Sequence, residues 1–256
     1  MDMNRRQFLL TGAALGAGAL YAPAALAMGE SDRFTIGHLR FADAHWNPRP
    51  TALRRLLLEL EKRTSVEVLS DVSVVDGLGA DIFDFPFLIM AGDRRFDPWP
   101  EERVNNLRTY LQAGGFLFID SAEGVVDGPF ATSVEREMKR IFPRKRLTKV
   151  PRDHVLHKSF YLVDQPVGRI NVASQFEAIF DEDRLAVVVS HNDILGALAR
   201  DNFGNWEYSV TPGGERQREM AYRLGINIVM YALTVNYKSD QVHIPFILRR
   251  RRWRVD

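Results

Sequence analysis

The chain has 256 residues, 46% of them hydrophobic, with 34 basic and 33 acidic side chains and no cysteine. That length supports one large core, and the near balance of charge gives no field that would gather nucleic acid. Without cysteine there is no thiolate nucleophile, thiolate metal site or iron-sulfur cluster, a composition that suits an oxidising compartment.

In chain order, Asn4-Arg5-Arg6-Gln7-Phe8-Leu9-Leu10 comes first, followed by an Ala/Gly/Leu run ending at Ala25-Leu26-Ala27. A paired arginine, Arg5 and Arg6, ahead of a mildly apolar run and an A-x-A site reads as a twin-arginine export signal over residues 1–27. The translocase is then a partner during export, and residues 28–256 form a single domain that works in the periplasm. The run from Phe8 to Ala27 approaches the roughly 20 residues of a membrane span. Gly12, Gly16, Gly18 and Pro23 weaken it, so cleavage is preferred to an uncleaved membrane anchor.

Beyond the signal, strand-like and helix-like periods alternate, the pattern of an α/β sandwich. Phe34–Phe41 reads as a strand. Pro50 and Thr51 open a helix with Leu53, Leu56, Leu57 and Leu60 on one face. Val66–Leu69 reads as a second strand, and Phe87–Ala91, ending at Gly92-Asp93, as a parallel strand buried on both faces. Pro100 starts a helix lined by Val104, Leu107 and Leu111, which Gly114-Gly115 stops. Phe116–Ile119 is the central strand and runs into Asp120-Ser121. A helix is expected around Val134–Ile141, and 144–172 is polar and turn-rich. Glu177–Phe180 and Leu185–Ser190 form a hairpin across Asp181-Glu182-Asp183. A helix from about Arg216 to Val235 closes the domain, with Met220, Leu224, Ile228 and Tyr231 on its core face.

Several of these stretches carry a resemblance. Phe85–Gly92, Tyr110–Asp120, Phe142-Pro143, Asp153-His154 and Leu224–Leu233, in that order, resemble the bacterial family catalogued as domain of unknown function 4159 across essentially the whole mature chain. The resemblance implies a three-layer sandwich on a mostly parallel sheet, flavodoxin-like or class I glutamine amidotransferase-like, with no established reaction. Its relatives often accompany cell-envelope genes, including MoxR-type ATPases and von Willebrand proteins, which implies envelope proteins as partners. Two departures matter. Amidotransferases need a cysteine at a tight turn leaving a central strand, and this chain has none, so glutaminase activity does not carry over. Asp93 also follows Gly92 where many members place His.

In an open parallel sheet, ligands bind beyond the carboxyl ends of the strands. Asp93, Arg94, Asp120, Ser121 and Glu123 should collect there, with the Asp120 carboxylate at the edge rather than in the core. Such carboxylates can hold a hard cation or act as acid and base, and Arg94 can grip an anion. They can equally cap turns and helix N-termini. Asp153, His154 and His157 offer weak metal-ligand spacing; the structural alternative has His154 hydrogen-bonded in its loop and His157 at the surface. Ser121 stands at a strand-to-turn position with His154 or His157 as possible bases, but Ile119 occupies the place of the glycine that relieves strain in G-x-S-x-G.

His38, His45 and Trp46 are further candidates for the strand mouth, the loop Asn202–Trp206 for a cover, and Arg249–Arg254 for peripheral contact with anionic lipid or wall polymer. No motif names a cofactor. The expectation is a non-catalytic binding or assembly module of the envelope. The alternative is a metal-assisted or Ser/His hydrolase using Asp120, Ser121, Glu123 or His154.

Overall fold

The most apolar runs become the centre of a seven-stranded sheet. The strands are β1 (Gly37–Leu39), β2 (Ser73–Val75), β3 (Phe87–Gly92), β4 (Phe116–Ser121), β5 (Thr148–Lys149), β6 (Glu177–Asp181) and β7 (Arg184–Ser190). The helices are α1 (Ala52–Arg63), α2 (Glu101–Gln112), α3 (Pro129–Ile141), α4 (Ile194–Leu198) and α5 (Gly214–Arg251). The computed structural model describes residues 33–251, with side chains through 234. The expected signal with Arg5 and Arg6, and the side chains of Arg249–Arg254, lie outside the described residues.

β3 and β4 are buried at every position, as strands covered on both faces must be, and pair in parallel from Phe87–Phe116 to Gly92–Ser121. The sheet order is β2-β1-β3-β4-β7-β6-β5. The first five run parallel, and β6 and β5 close the sheet antiparallel. In the expected hairpin, Phe180 pairs with Leu185 and Ile179 with Val187. Ala186 is thus the extra residue of a bulge, and Ala186 and Val187 both turn into the same core.

Each face of the sheet carries its own core, as an α/β architecture requires. On one, Phe87, Ile89, Phe116, Phe118 and Val188 meet α1, α4 and α5. On the other, Leu88, Met90, Leu117, Ile119 and Val189 meet α2 and α3. The alternation along β3 and β4 follows from the two-residue period of a strand.

Four local expectations are corrected. The second strand lies at Ser73–Val75, not Val66–Leu69; Val68 makes only an isolated parallel bridge to Phe34, because Ser70-Asp71 interrupts the run before pairing resumes. The first strand narrows to Gly37–Leu39. α3 begins at Pro129, where a proline at the first turn gives up no needed N–H. The segment 144–172 holds β5 and a 3-10 turn at Val155–Lys158. α4 was not expected, since five residues are too few to show a helical period. Among the described residues, no helix is long and apolar enough to cross a membrane.

Candidate functional site

The carboxyl ends of the parallel strands gather the charged residues, but around a centre that begins after β7. β4 ends in Asp120-Ser121, and β7 ends in Ser190, followed by His191-Asn192-Asp193 and α4. Asp120 and Ser190 are register partners. The Asp120 carboxylate reaches across to the start of α4, Oδ1 accepting from the Ile194 N–H at 3.1 Å and Oδ2 from the Leu195 N–H at 2.8 Å. The expectation of an edge carboxylate is therefore corrected: Asp120 is 1% exposed. α4 places its unpaired first N–H groups directly above the strand end, and a buried acceptor must meet them. Burial, and then the charge of Asp193, push the Asp120 carboxyl up to about 7 against the pull of those N–H bonds.

Asp193 is the hub. Its backbone is left-handed, with φ at 53°, a region that Asp and Asn enter more readily than most residues. It caps α4 by accepting from the Gly196 N–H at 3.0 Å. Arg49 donates to it twice, Nε to Oδ1 at 3.0 Å and Nη2 to Oδ2 at 2.6 Å, and Arg169 Nε donates to Oδ2. The Arg49 guanidinium also lies 4.1 Å above the Tyr208 ring centre. Three segments distant in sequence, before α1, before β6 and at α4, thus converge on one buried carboxylate.

Asn192 completes the arrangement. Its Oδ1 accepts from the Val172 and Ala173 N–H groups, both at 2.9 Å, and its Nδ2 donates to the Pro166 and Ala173 carbonyls at 3.0 and 2.8 Å. The loop approaches so closely that a Cβ on Gly168 would sit 2.0 Å from the Asn192 carbonyl oxygen; only glycine fits there.

The residues singled out from the sequence separate. Glu123 caps α3, its Oε1 accepting from the Phe130 N–H at 2.7 Å and its Oε2 from Ala131 at 3.2 Å. Ser121 is fully buried beside it, Oγ to Oε2 at 3.4 Å. Asp93 pairs with its neighbour, Arg94 donating at 2.8 and 3.2 Å, and that guanidinium draws the Asp93 carboxyl below its ordinary range. Asp93 and Arg94 stand at the surface while Asp120 is closed under α4, so the three do not form one ligand shell.

His154 caps the 3-10 turn, its Nδ1 accepting from the Leu156 N–H at 3.1 Å, and packs near Phe180 and Tyr231. Phe180 pairs with Leu185, five residues before Ser190 on β7, or about 16 Å along the strand. The pairing of His154 with Ser121 is corrected on that ground. His157 is buried and stacked on Phe176, not at the surface, and burial lowers the pKa of both imidazoles. Asp153 is exposed. Among the described residues, no group of three or more His, Asp or Glu side chains could hold a metal ion.

His38 is buried against Trp46 at 4.6 Å between ring centres, and burial takes its pKa down to about 4.

Sequence reading missed Arg49, Arg169, His191, Asn192 and Asp193. One signal was available: Ser190-His191-Asn192-Asp193 follows Val187-Val188-Val189 just as Asp120-Ser121 follows an apolar strand. His191 directly follows Ser190, the register partner of Asp120, just as Ser121 directly follows Asp120. Its Nε2 lies 3.2 Å from Glu177 Oε2, while its buried Nδ1 has no hydrogen-bond partner. Pairing with that imidazole lowers the Glu177 pKa.

No curated protein matches the chain at a significant level. Residues 35–233, which include every strand among the described residues, the Asp120–Asp193 network and the start of α5 through Leu233, match the family described as domain of unknown function (DUF4159), and the chain belongs to that family.

Proposed function

We propose that the protein is exported to the periplasm through its twin-arginine signal and acts there as a non-catalytic binding or assembly module of the cell envelope. The sheet order β2-β1-β3-β4-β7 supports reading the scaffold as flavodoxin-like, of the class I glutamine amidotransferase kind. The absence of cysteine removes that class's nucleophile. One observation carries the reading: the acids at the strand mouth are already engaged. Asp120 and Glu123 hold helix N–H groups, Asp193 holds two arginines, and Asp93 holds Arg94. Each of these carboxylates already has both oxygens bonded to groups of the fold, and for Asp120 burial sets its proton affinity.

One observation favours a second reading, hydrolysis. Ser121, His191 and Glu177 occupy neighbouring strand ends in the order nucleophile, base and orienting acid. Full burial of Ser121 and its contact with Glu123 weigh against it. The two are separated by assaying the mature chain on chromogenic esters, phosphoesters, glycosides and peptides, with and without Mg2+, Mn2+ and Zn2+. The expected result is no turnover that responds to Ser121→Ala or His191→Gln. Turnover abolished by both substitutions in folded protein would establish the hydrolase instead.

A further inference from the structure

The segment between α3 and β6 carries a cluster that the strand-mouth network does not use. Residues 144–162 hold six basic side chains and one acidic one, Asp153, in a chain whose 28–256 portion is formally neutral. Three apolar side chains stand out within eight residues of it: Val155 at 48% exposure, Phe160 at 44% and Leu162 at 80%. Single exposed apolar residues are ordinary, but a group of them bordered by charge marks a contact surface.

The loop that presents them is held from beneath. Asn227, fully buried on α5, accepts from the Phe160 and Tyr161 N–H groups at 3.2 and 2.7 Å and donates to the Tyr161 carbonyl at 2.7 Å. The Val163 N–H closes onto the His157 carbonyl at 2.9 Å, and Ser159 Oγ onto that of Val155 at 2.9 Å. Arg223 sits 5.2 Å above the Tyr161 ring centre. The backbone is fixed on both sides of Tyr161, so the exposure of Phe160 and Leu162 is built into the fold.

We propose that this loop docks the protein on an anionic phospholipid bilayer, with Leu162, Phe160 and Val155 entering the interface and Lys158 and Arg152 meeting the headgroup phosphates. Charge complementarity selects the occupant: this stretch carries net +5 and the remainder of the 28–256 portion net −5, so the field turns this face toward an anionic surface. Size argues against a protein partner, since three side chains are far short of the roughly 800 Å² per partner of a stable protein interface. A few apolar groups with adjacent basic residues suffice for interfacial binding, each basic residue changing partition about fivefold. Lys149 lies opposite Glu177 and Lys145 is held by Asp181; of the remaining four, Arg152 and Lys158 stand nearest in sequence to the exposed apolar side chains and are the principal headgroup contacts. The proposal is independent of whether the strand mouth performs chemistry.

The absence of cysteine makes a direct test available. Leu162→Cys in the mature chain takes a single nitrobenzoxadiazole label, and vesicles of equimolar phosphatidylglycerol and phosphatidylcholine are compared with phosphatidylcholine alone. The label should brighten and shift to the blue on the anionic vesicles only, and the response should fade at high salt. A label at Val74→Cys, exposed on β2 at the other edge of the sheet, should stay unchanged. Arg152→Gln with Lys158→Gln should weaken partition by about tenfold or more, while glutamines in place of the arginines of 249–254 should leave the response at 162 in place. Failure to bind the anionic vesicles, or binding with a silent label at 162, overturns the proposal. A response that grows with protein concentration in the absence of lipid marks self-association and overturns it too.

Discussion

Replacing Asp193 with alanine should destabilise the fold by about 3 kcal/mol or more, the largest loss expected from any single charge in the domain. The side chain is fully buried, and it balances Arg49 and Arg169, whose side chains are 11% and 25% exposed. Removing it leaves two largely desolvated cations without a counter-charge, an uncapped Gly196 N–H, and alanine in a left-handed backbone it tolerates poorly. Asp193→Asn keeps the backbone preference and the cap and should lose less, so the difference between the two variants isolates the charge from the geometry. Chemical denaturation of both against the parent decides it. A loss below about 1 kcal/mol for the alanine variant would mean that the arginines find water or other partners, and the hub would lose its role.

Export should fail outright when Arg5 and Arg6 are both replaced by lysine. The charge is kept, but the translocase reads the paired arginines themselves. Fractionation should find the precursor retained in the cytoplasm and uncleaved, while the wild-type chain appears in the periplasm shortened near Ala27. Undiminished export of the double variant through the twin-arginine pathway would remove the basis for the periplasmic assignment.

The strands that proved easiest to read were those with the simplest physics. Phe87–Ala91 and Phe116–Ile119 are apolar at every position because both faces are covered, and Leu53, Leu56, Leu57 and Leu60 mark the buried stripe of α1. β2 was misplaced because Val66–Leu69 is the more apolar run, whereas edge pairing with β1 is made mainly by backbone groups. The site was half legible. That Asp120 ends a central strand follows from local pattern. That it caps a helix starting 74 residues later does not, and neither does the meeting of Arg49 with Asp193 across 144 residues. Ion pairs between distant segments leave no period or spacing in a sequence. His154 drew attention as one half of a His-x-x-His pair, yet the imidazole that follows the strand next to Asp120 belongs to His191, which reading strands without their exits passes over.

The central claim is that the buried carboxylates at the strand mouth, Asp120 first among them, belong to the fold and are closed to ligands. Carbon-13 NMR of the Asp120 carboxyl, followed across pH with and without Mg2+, Mn2+, Zn2+ or Ca2+, tests it most directly. The folded pKa of about 7 lies above the ordinary 3.8. The folded chain therefore keeps a proton that the unfolded chain has released, and this group's contribution makes stability fall as pH rises from about 4 to 7. The account predicts a titration near 7 that none of the cations moves, together with that decline in stability. A carboxyl that titrates near 4, or whose pKa drops when a cation is added, would show an open acid at the mouth and contradict it.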